Sequence, residues 1–142
     1  MKEFLEKLGW KVVETLEIPP KEAEYLSADK LSVTTTTKRL LKRFPEGLYV
    51  HQVLALEEYL DGKNVCISTP TASGKTLIFH AAACEEISKA PNSKILAIYP
   101  LKALIAQQFE KWQDALKEAG CDAEINIITG DTPMEERLTL MV

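Results

Sequence analysis

What this chain has little of narrows it first. Cysteine occurs three times, at Cys66, Cys84 and Cys121, an odd number at wide spacing inside apolar runs, which excludes a disulfide framework and a Cys-x-x-Cys metal site and predicts buried, reduced thiols. The two histidines, His51 and His80, are isolated and read as structural rather than as metal ligands. No apolar run approaches the roughly 18 residues of a membrane span, and the start Met1-Lys2-Glu3-Phe4-Leu5-Glu6 carries acids where a secretory signal is basic and then apolar. A cytoplasmic protein with no membrane partner is expected. Net basic charge is also lacking: 17 Lys and Arg stand against 21 Asp and Glu, a formal charge of −4, so no global field advertises nucleic acid. That does not exclude such a partner, because helix N-termini and hydroxyls also grip a phosphate backbone.

What is present is the composition of a globular domain, 46% hydrophobic and 27% charged over 142 residues. There is no internal repeat and no Gly/Ser linker; the one biased patch is Thr34-Thr35-Thr36-Thr37. The pattern changes near residue 63. Before it come a short helix over 4–8, an ambiguous stretch over 10–16, a break at Ile18-Pro19-Pro20, and helices over 37–44 and 53–60 that stop at Pro45 with Gly47 and at Asp61-Gly62. After it, strands over 64–68, 94–99 and 124–129 alternate with helices over 74–89 and 102–119, the mark of a parallel sheet with helices packed on it. The first of these helices is apolar almost all round and should be buried on more than one side. The second is amphipathic and ends at Gly120. Thr132-Pro133-Met134-Glu135 reads as a capping box that opens a last helix.

The most informative segment is Thr69-Pro70-Thr71-Ala72-Ser73-Gly74-Lys75-Thr76, entered from Val65-Cys66-Ile67 and left through Leu77-Ile78-Phe79. A β run feeding a glycine turn that opens a helix makes backbone N–H groups and the positive end of the helix dipole converge on one anion. Lys75 then adds an ammonium for the outer phosphates, and the Thr76 hydroxyl is positioned for magnesium. The first position of the general Gly-x-x-x-x-Gly-Lys-Ser/Thr pattern is Thr69 here, and Pro70 pushes it toward extended backbone. The bland alternative is a glycine turn with Lys75 solvated at the helix start.

Four segments in this order resemble a superfamily 2 helicase of the DEAD/DEAH-box and RecQ-like type. Leu48-Tyr49-Val50-His51-Gln52 is similar to the glutamine motif, with Gln52 at the glutamine's place. Residues 69–76 resemble motif I in its Thr-Pro-Thr form; Tyr99-Pro100-Leu101-Lys102-Ala103-Leu104 with Gln107 resembles motif Ia; and Thr129-Gly130-Asp131 resembles the short motif that follows. The resemblance covers about residues 48–131. It implies an incomplete P-loop NTPase (RecA-like) α/β fold, with residues 1–47 as a mixed, mainly helical extension and 48–142 as a partial ATP-binding domain. The group in which these variants occur together acts on DNA, often in repair or in defence against foreign DNA, which tilts the expectation from RNA to DNA.

Implied site residues are Thr71, Ala72, Ser73, Gly74, Lys75 and Thr76 for ATP, with Lys75 and Thr76 catalytic and Thr76 on Mg2+, and Gln52 for adenine. For nucleic acid they are Pro100, Leu101, Lys102, Thr129 and Gly130. Independently of the family, a carboxamide matches the N6 donor and N7 acceptor of adenine. A capping role is its plain alternative. Tyr49 or Phe44 can stack on a base, although core packing accounts for both. Motif Ia opens a helix whose N–H groups, with Lys102, can hold a phosphate, and strand ends on one sheet edge can share ATP and nucleic acid. Lys38, Arg39, Lys42 and Arg43 form one helix face, either solvated or in touch with phosphates.

Hydrolysis in this family also needs an Asp-Glu motif and arginines from a second RecA-like domain, and neither is in the sequence; Asp131 has no adjacent Glu. The expectation is therefore an N-terminal motor segment that binds ATP without efficient hydrolysis, with the remaining helicase polypeptide as a partner for its open sheet edge. Two other readings stay open. One is a small-molecule kinase or other P-loop NTPase; the other is a non-catalytic interaction module.

Overall fold

The computed structural model describes residues 2–11, 13, 16 and 22–141; the break expected at Ile18-Pro19-Pro20, and much of the ambiguous stretch before it, lie outside them. Helix α1 spans Lys2–Lys7, strand β1 Tyr25–Leu26, a 3-10 turn Ala28–Lys30, α2 Thr35–Leu41, β2 Leu48–Tyr49, α3 Val50–Leu60, α4 Lys75–Lys89, α5 Lys102–Ala119 and α6 Met134–Met141. Among the described residues no helix is long and apolar enough to cross a membrane.

Helix α4 is the hub, touching α2, α3 and α5. Its nearly all-round apolar surface demands this: Leu77, Ile78, Ala81 and Cys84 are buried, joining Leu40, Leu41, Val53, Leu56, Ala115, Leu116 and Ala119 in one core, and Ala83 is buried as well. Each fully buried Leu contributes about 1.5–3 kcal/mol. Gly120 stops α5 in a left-handed conformation at φ 67°, as expected of a glycine there.

The threonine patch finds its use at α2. Thr34 is the N-cap, accepting the Thr37 N–H at 3.4 Å, and both side chains donate at 2.8 Å to Glu85 Oε2 on α4, as does the Thr34 N–H. Glu85 is 1% exposed, and its other oxygen meets Lys89 at 3.2 Å. A buried carboxylate is tolerable only when paired and hydrogen-bonded in this way. Desolvation acts to raise the Glu85 pKa, but the Thr34 and Thr37 hydrogen bonds outweigh it and hold the carboxyl below its usual range. Sequence alone gave no hint of this junction.

Three expectations need correction. Residues 64–68, 94–99 and 124–129 lie between the helices in the expected order, but no backbone hydrogen bond joins them; the sheet found among the described residues is the antiparallel pair β1–β2, with Tyr25 opposite Tyr49 and Leu26 opposite Leu48. A strand is stable only beside a neighbour, and among the described residues no backbone hydrogen bond pairs these three with one another. Their side chains are correspondingly open, with Leu96 80% and Ile98 82% exposed. The same openness corrects the thiols: Cys84 is buried, Cys121 is partly so, and Cys66, on the first open segment, is exposed. At the last helix Thr132 Oγ1 accepts the Thr129 N–H at 2.9 Å, closing the preceding turn instead of forming the capping box.

Helix boundaries also move. Helix α2 starts two residues before the expected 37, at its Thr34 cap, and α3 starts at Val50, directly off β2, rather than at 53.

Candidate functional site

The segment 69–76 is a loop that closes on the N-terminus of α4. Gly74 is the helix N-cap at φ 75°, ψ 18°, and Ala72 is a non-glycine residue in the left-handed region at φ 61°. At φ 75° a side chain on residue 74 is strained, and its Cβ would stand 2.5 Å from Gln52 Nε2, the tip of a flexible side chain that would have to shift. No side chain caps α4. No side chain therefore occupies the Lys75 and Thr76 N–H groups, which can face an anion, while the Leu77 N–H bonds Gly74 O at 3.1 Å. Lys75 Nζ is folded over the loop, donating to Thr69 O at 2.8 Å and Pro70 O at 2.7 Å and reaching Thr69 Oγ1 and Ser73 Oγ at 3.4 and 3.3 Å. Those oxygens hold the ammonium where it faces the loop. Thr71 and Ala72 are exposed; Ser73, Gly74, Lys75 and Thr76 are half-buried.

Gln52 is brought to this loop but with its carboxamide engaged. It is 4% exposed; Oε1 accepts the Tyr49 N–H at 2.9 Å and Nε2 donates to Gly74 O at 2.9 Å. One N–H and one lone pair remain. Beside it opens a cavity of about 480 Å³ lined by Tyr25, Phe44, Tyr49, Gln52, Ala72 and Gly74 among others, a volume suited to a small organic ligand. Tyr25 stacks on Tyr49 with centroids 5.0 Å apart. His51, read from sequence as an isolated structural residue, contacts Ser73 O through Nε2 at 2.8 Å. Its place directly before Gln52 was the available signal. His80 is buried edge-on against Trp112 at 4.4 Å, with burial and then Lys111 and Arg43 pushing its pKa down to about 4.

A second cluster joins the start of α5 to residues 129–131. Leu101 caps α5 without a side-chain hydrogen bond, so no side chain engages the Lys102 and Ala103 N–H groups, and Pro100, Leu101 and Lys102 are exposed. Lys102 Nζ pairs with the Asp131 carboxylate, which ties the two motifs together. Thr129 Oγ1 accepts the Asp131 N–H at 3.1 Å, and Arg137, not singled out by sequence, donates to Gly130 O at 2.9 Å and Thr132 O at 2.7 Å. In the basic quartet Arg43 is paired with Glu118 at 2.6 Å, while all four side chains are exposed. Among the described residues no group of three or more His, Cys, Asp or Glu side chains is arranged to hold a metal.

The model of the DEAD/DEAH box helicase family matches residues 49–141. An uncharacterised ATP-dependent helicase of Methanocaldococcus jannaschii, MJ1574, is 38% identical over 98 residues, 66% of this chain and 14% of that protein. Another, YprA of Bacillus subtilis, is 31% identical over 121 residues, 85% of this chain and 16% of that protein. Among solved structures, the DUF1998 helicase MrfA bound to DNA and AMPPNP aligns with a TM-score of 0.78 at 29% identity, covering 99% of this chain and 20% of that one. The chain thus spans a fifth or less of the proteins it matches, and the likeness shows its fold to be an incomplete RecA-like α/β unit.

Proposed function

Because the chain belongs to the DEAD/DEAH box helicase family, we propose that it is the ATP-binding and DNA-contacting N-terminal portion of an ATP-dependent DNA helicase motor. The observation that carries this is the loop at α4: an uncapped 15-residue helix whose N-cap is a left-handed glycine, with a lysine ammonium folded over the same turn. The residues present fit a nucleoside triphosphate. Gly74, Lys75 and Thr76 supply amides, Thr71, Ala72 and Ser73 form the loop wall, and Lys75 exchanges its carbonyl contacts for phosphate oxygens. Thr76 takes the Mg2+ ion, which neutralises phosphate charge when bound. Gln52, with its remaining donor and acceptor, lies on the cavity beside the loop and serves adenine.

Pro100, Leu101, Lys102, Thr129 and Gly130 form the nucleic-acid edge in this reading, the open amides of α5 accepting a phosphate without reading sequence. DNA is favoured over RNA because the MrfA structure holds DNA. Residues 48–142 act as the partial ATP-binding domain and 1–47 as its extension, in a cytoplasmic setting. The remaining helicase polypeptide supplies the strands that pair with 64–68, 94–99 and 124–129, whose apolar side chains stand open. It also supplies the Asp-Glu pair that hydrolysis needs and that is absent from the sequence.

Titration with a fluorescent ATP analogue tests the reading. Wild type should bind in a Mg2+-dependent manner and Lys75→Ala should lose at least tenfold, the order of a charge-assisted contact of about 1.5–3 kcal/mol. Equal affinity in the two proteins would leave only an interaction module. Phosphorylation of a metabolite without stimulation by DNA would favour the kinase.

A further inference from the structure

Two consecutive side chains at the start of α3 donate to two consecutive carbonyls of the loop: His51 Nε2 lies 2.8 Å from Ser73 O, and Gln52 Nε2 lies 2.9 Å from Gly74 O. A carbonyl only accepts, so His51 must carry its proton on Nε2. All described peptide bonds are trans. In a trans peptide the C=O and the following N–H are coplanar and point in opposite directions. Holding Ser73 C=O on His51 therefore aims Gly74 N–H the other way, and holding Gly74 C=O on Gln52 does the same for Lys75 N–H.

The His51 ring is itself held. It lies 12° from parallel to Tyr49 at 5.6 Å, and Tyr49 lies on Tyr25 at 5.0 Å, so three rings run from β1 across β2 to the loop. The loop needs such support. Ala72 sits in the left-handed region two residues before Gly74, a conformation that persists only where the surroundings over-determine it.

We infer that His51 is a positioning residue of the phosphate loop, its Nε2–H aiming the Gly74 amide at the triphosphate while the Tyr25–Tyr49 stack sets the ring. This rests on the nucleotide-binding reading above, and it goes beyond it by giving the N-terminal strand β1 a hold on the loop.

The test uses the full chain in two measurements, hydrogen exchange of amides 72–75 without nucleotide and titration with the fluorescent ATP analogue. His51→Phe keeps a stacking ring and lacks the donor; it should speed exchange at 72–75 and weaken ATP binding about tenfold, the loss of one well-placed hydrogen bond. His51→Gln restores a donor and should recover most of both, a rescue that a merely space-filling role would not give. Tyr25→Leu, which leaves the His51 donor in place and acts on the loop only through the ring stack, should speed the same amides to a smaller degree and serves if His51→Phe does not fold. Unchanged exchange at 72–75 in His51→Phe, or in Tyr25→Leu where that variant stands in for it, overturns the inference. If wild type binds no ATP analogue while His51→Phe still loosens 72–75, the nucleotide reading fails and the hold on the loop stands.

Discussion

Removing the Glu85 carboxylate should cost this small protein a large share of its stability. The side chain is 1% exposed and its Oε2 receives three hydrogen bonds at 2.8 Å, from the Thr34 N–H and the hydroxyls of Thr34 and Thr37. Truncation to alanine leaves a backbone N–H and two hydroxyls without their acceptor inside the α2–α4 contact. Each orphaned buried group costs about 1–3 kcal/mol. Relaxation and water entry recover part of that, so Glu85→Ala should lose about 3–5 kcal/mol, comparable with breaking a buried ion pair. Glu85→Gln keeps an acceptor oxygen and the volume but loses the charge and the Lys89 pair, and should lose about 1–2 kcal/mol.

The pH profile supplies a second reading of the same group. Its folded-state pKa is depressed, so the carboxylate's contribution is fully present above the unfolded glutamate value and is lost as pH falls through the folded one. Glu85→Gln should flatten that acid limb. Urea unfolding at a series of pH values measures both effects. A Glu85→Ala variant within 1 kcal/mol of wild type at neutral pH, with the acid limb unaltered, would refute the argument that this carboxylate joins α2 to α4.

Further expectations follow from other sites. His80 is 6% exposed and its pKa lies near 4 against 6.5 in the unfolded chain, so it stays neutral when folded. Stability should fall as pH drops from about 6.5 toward 4, by roughly 3 kcal/mol at most, and His80→Met should remove that slope in thermal melts. Gly74→Ala should destabilise by about 1–2 kcal/mol and weaken ATP-analogue binding, because alanine is strained at φ 75° and its Cβ displaces Gln52 Nε2 from the Gly74 carbonyl. Ala72→Gly should instead be neutral or raise stability by up to about 1 kcal/mol, the left-handed strain offsetting the entropy of glycine. Lys102→Ala should weaken single-stranded DNA binding and lower its salt slope by about one, read by fluorescence anisotropy across a salt series.

Much of the candidate site's geometry was legible because it is local. A glycine turn that opens a helix is encoded within eight residues, and motif order along the chain singled out Gln52, which contacts that turn, and Lys102 and Thr129, which share the cluster at the start of α5. The fold class was legible from alternation, and α4 and α5 from period and stop signals. What failed was local too: the cap at Thr132 was taken by Thr129, a neighbour that the capping pattern does not consider.

The remainder belongs to long-range geometry. Sequence determined which segments favour strand and which favour helix, since that depends on apolar periodicity. Whether a strand is completed depends on neighbours, and residues 64–68, 94–99 and 124–129 have no hydrogen-bonded partner in one another. Likewise nothing local sets Glu85, 48 residues away in sequence, beneath Thr37, or His51, 22 residues away, under Ser73. Those pairings arise from how α2 and α3 pack on α4, and tertiary structure alone decided them.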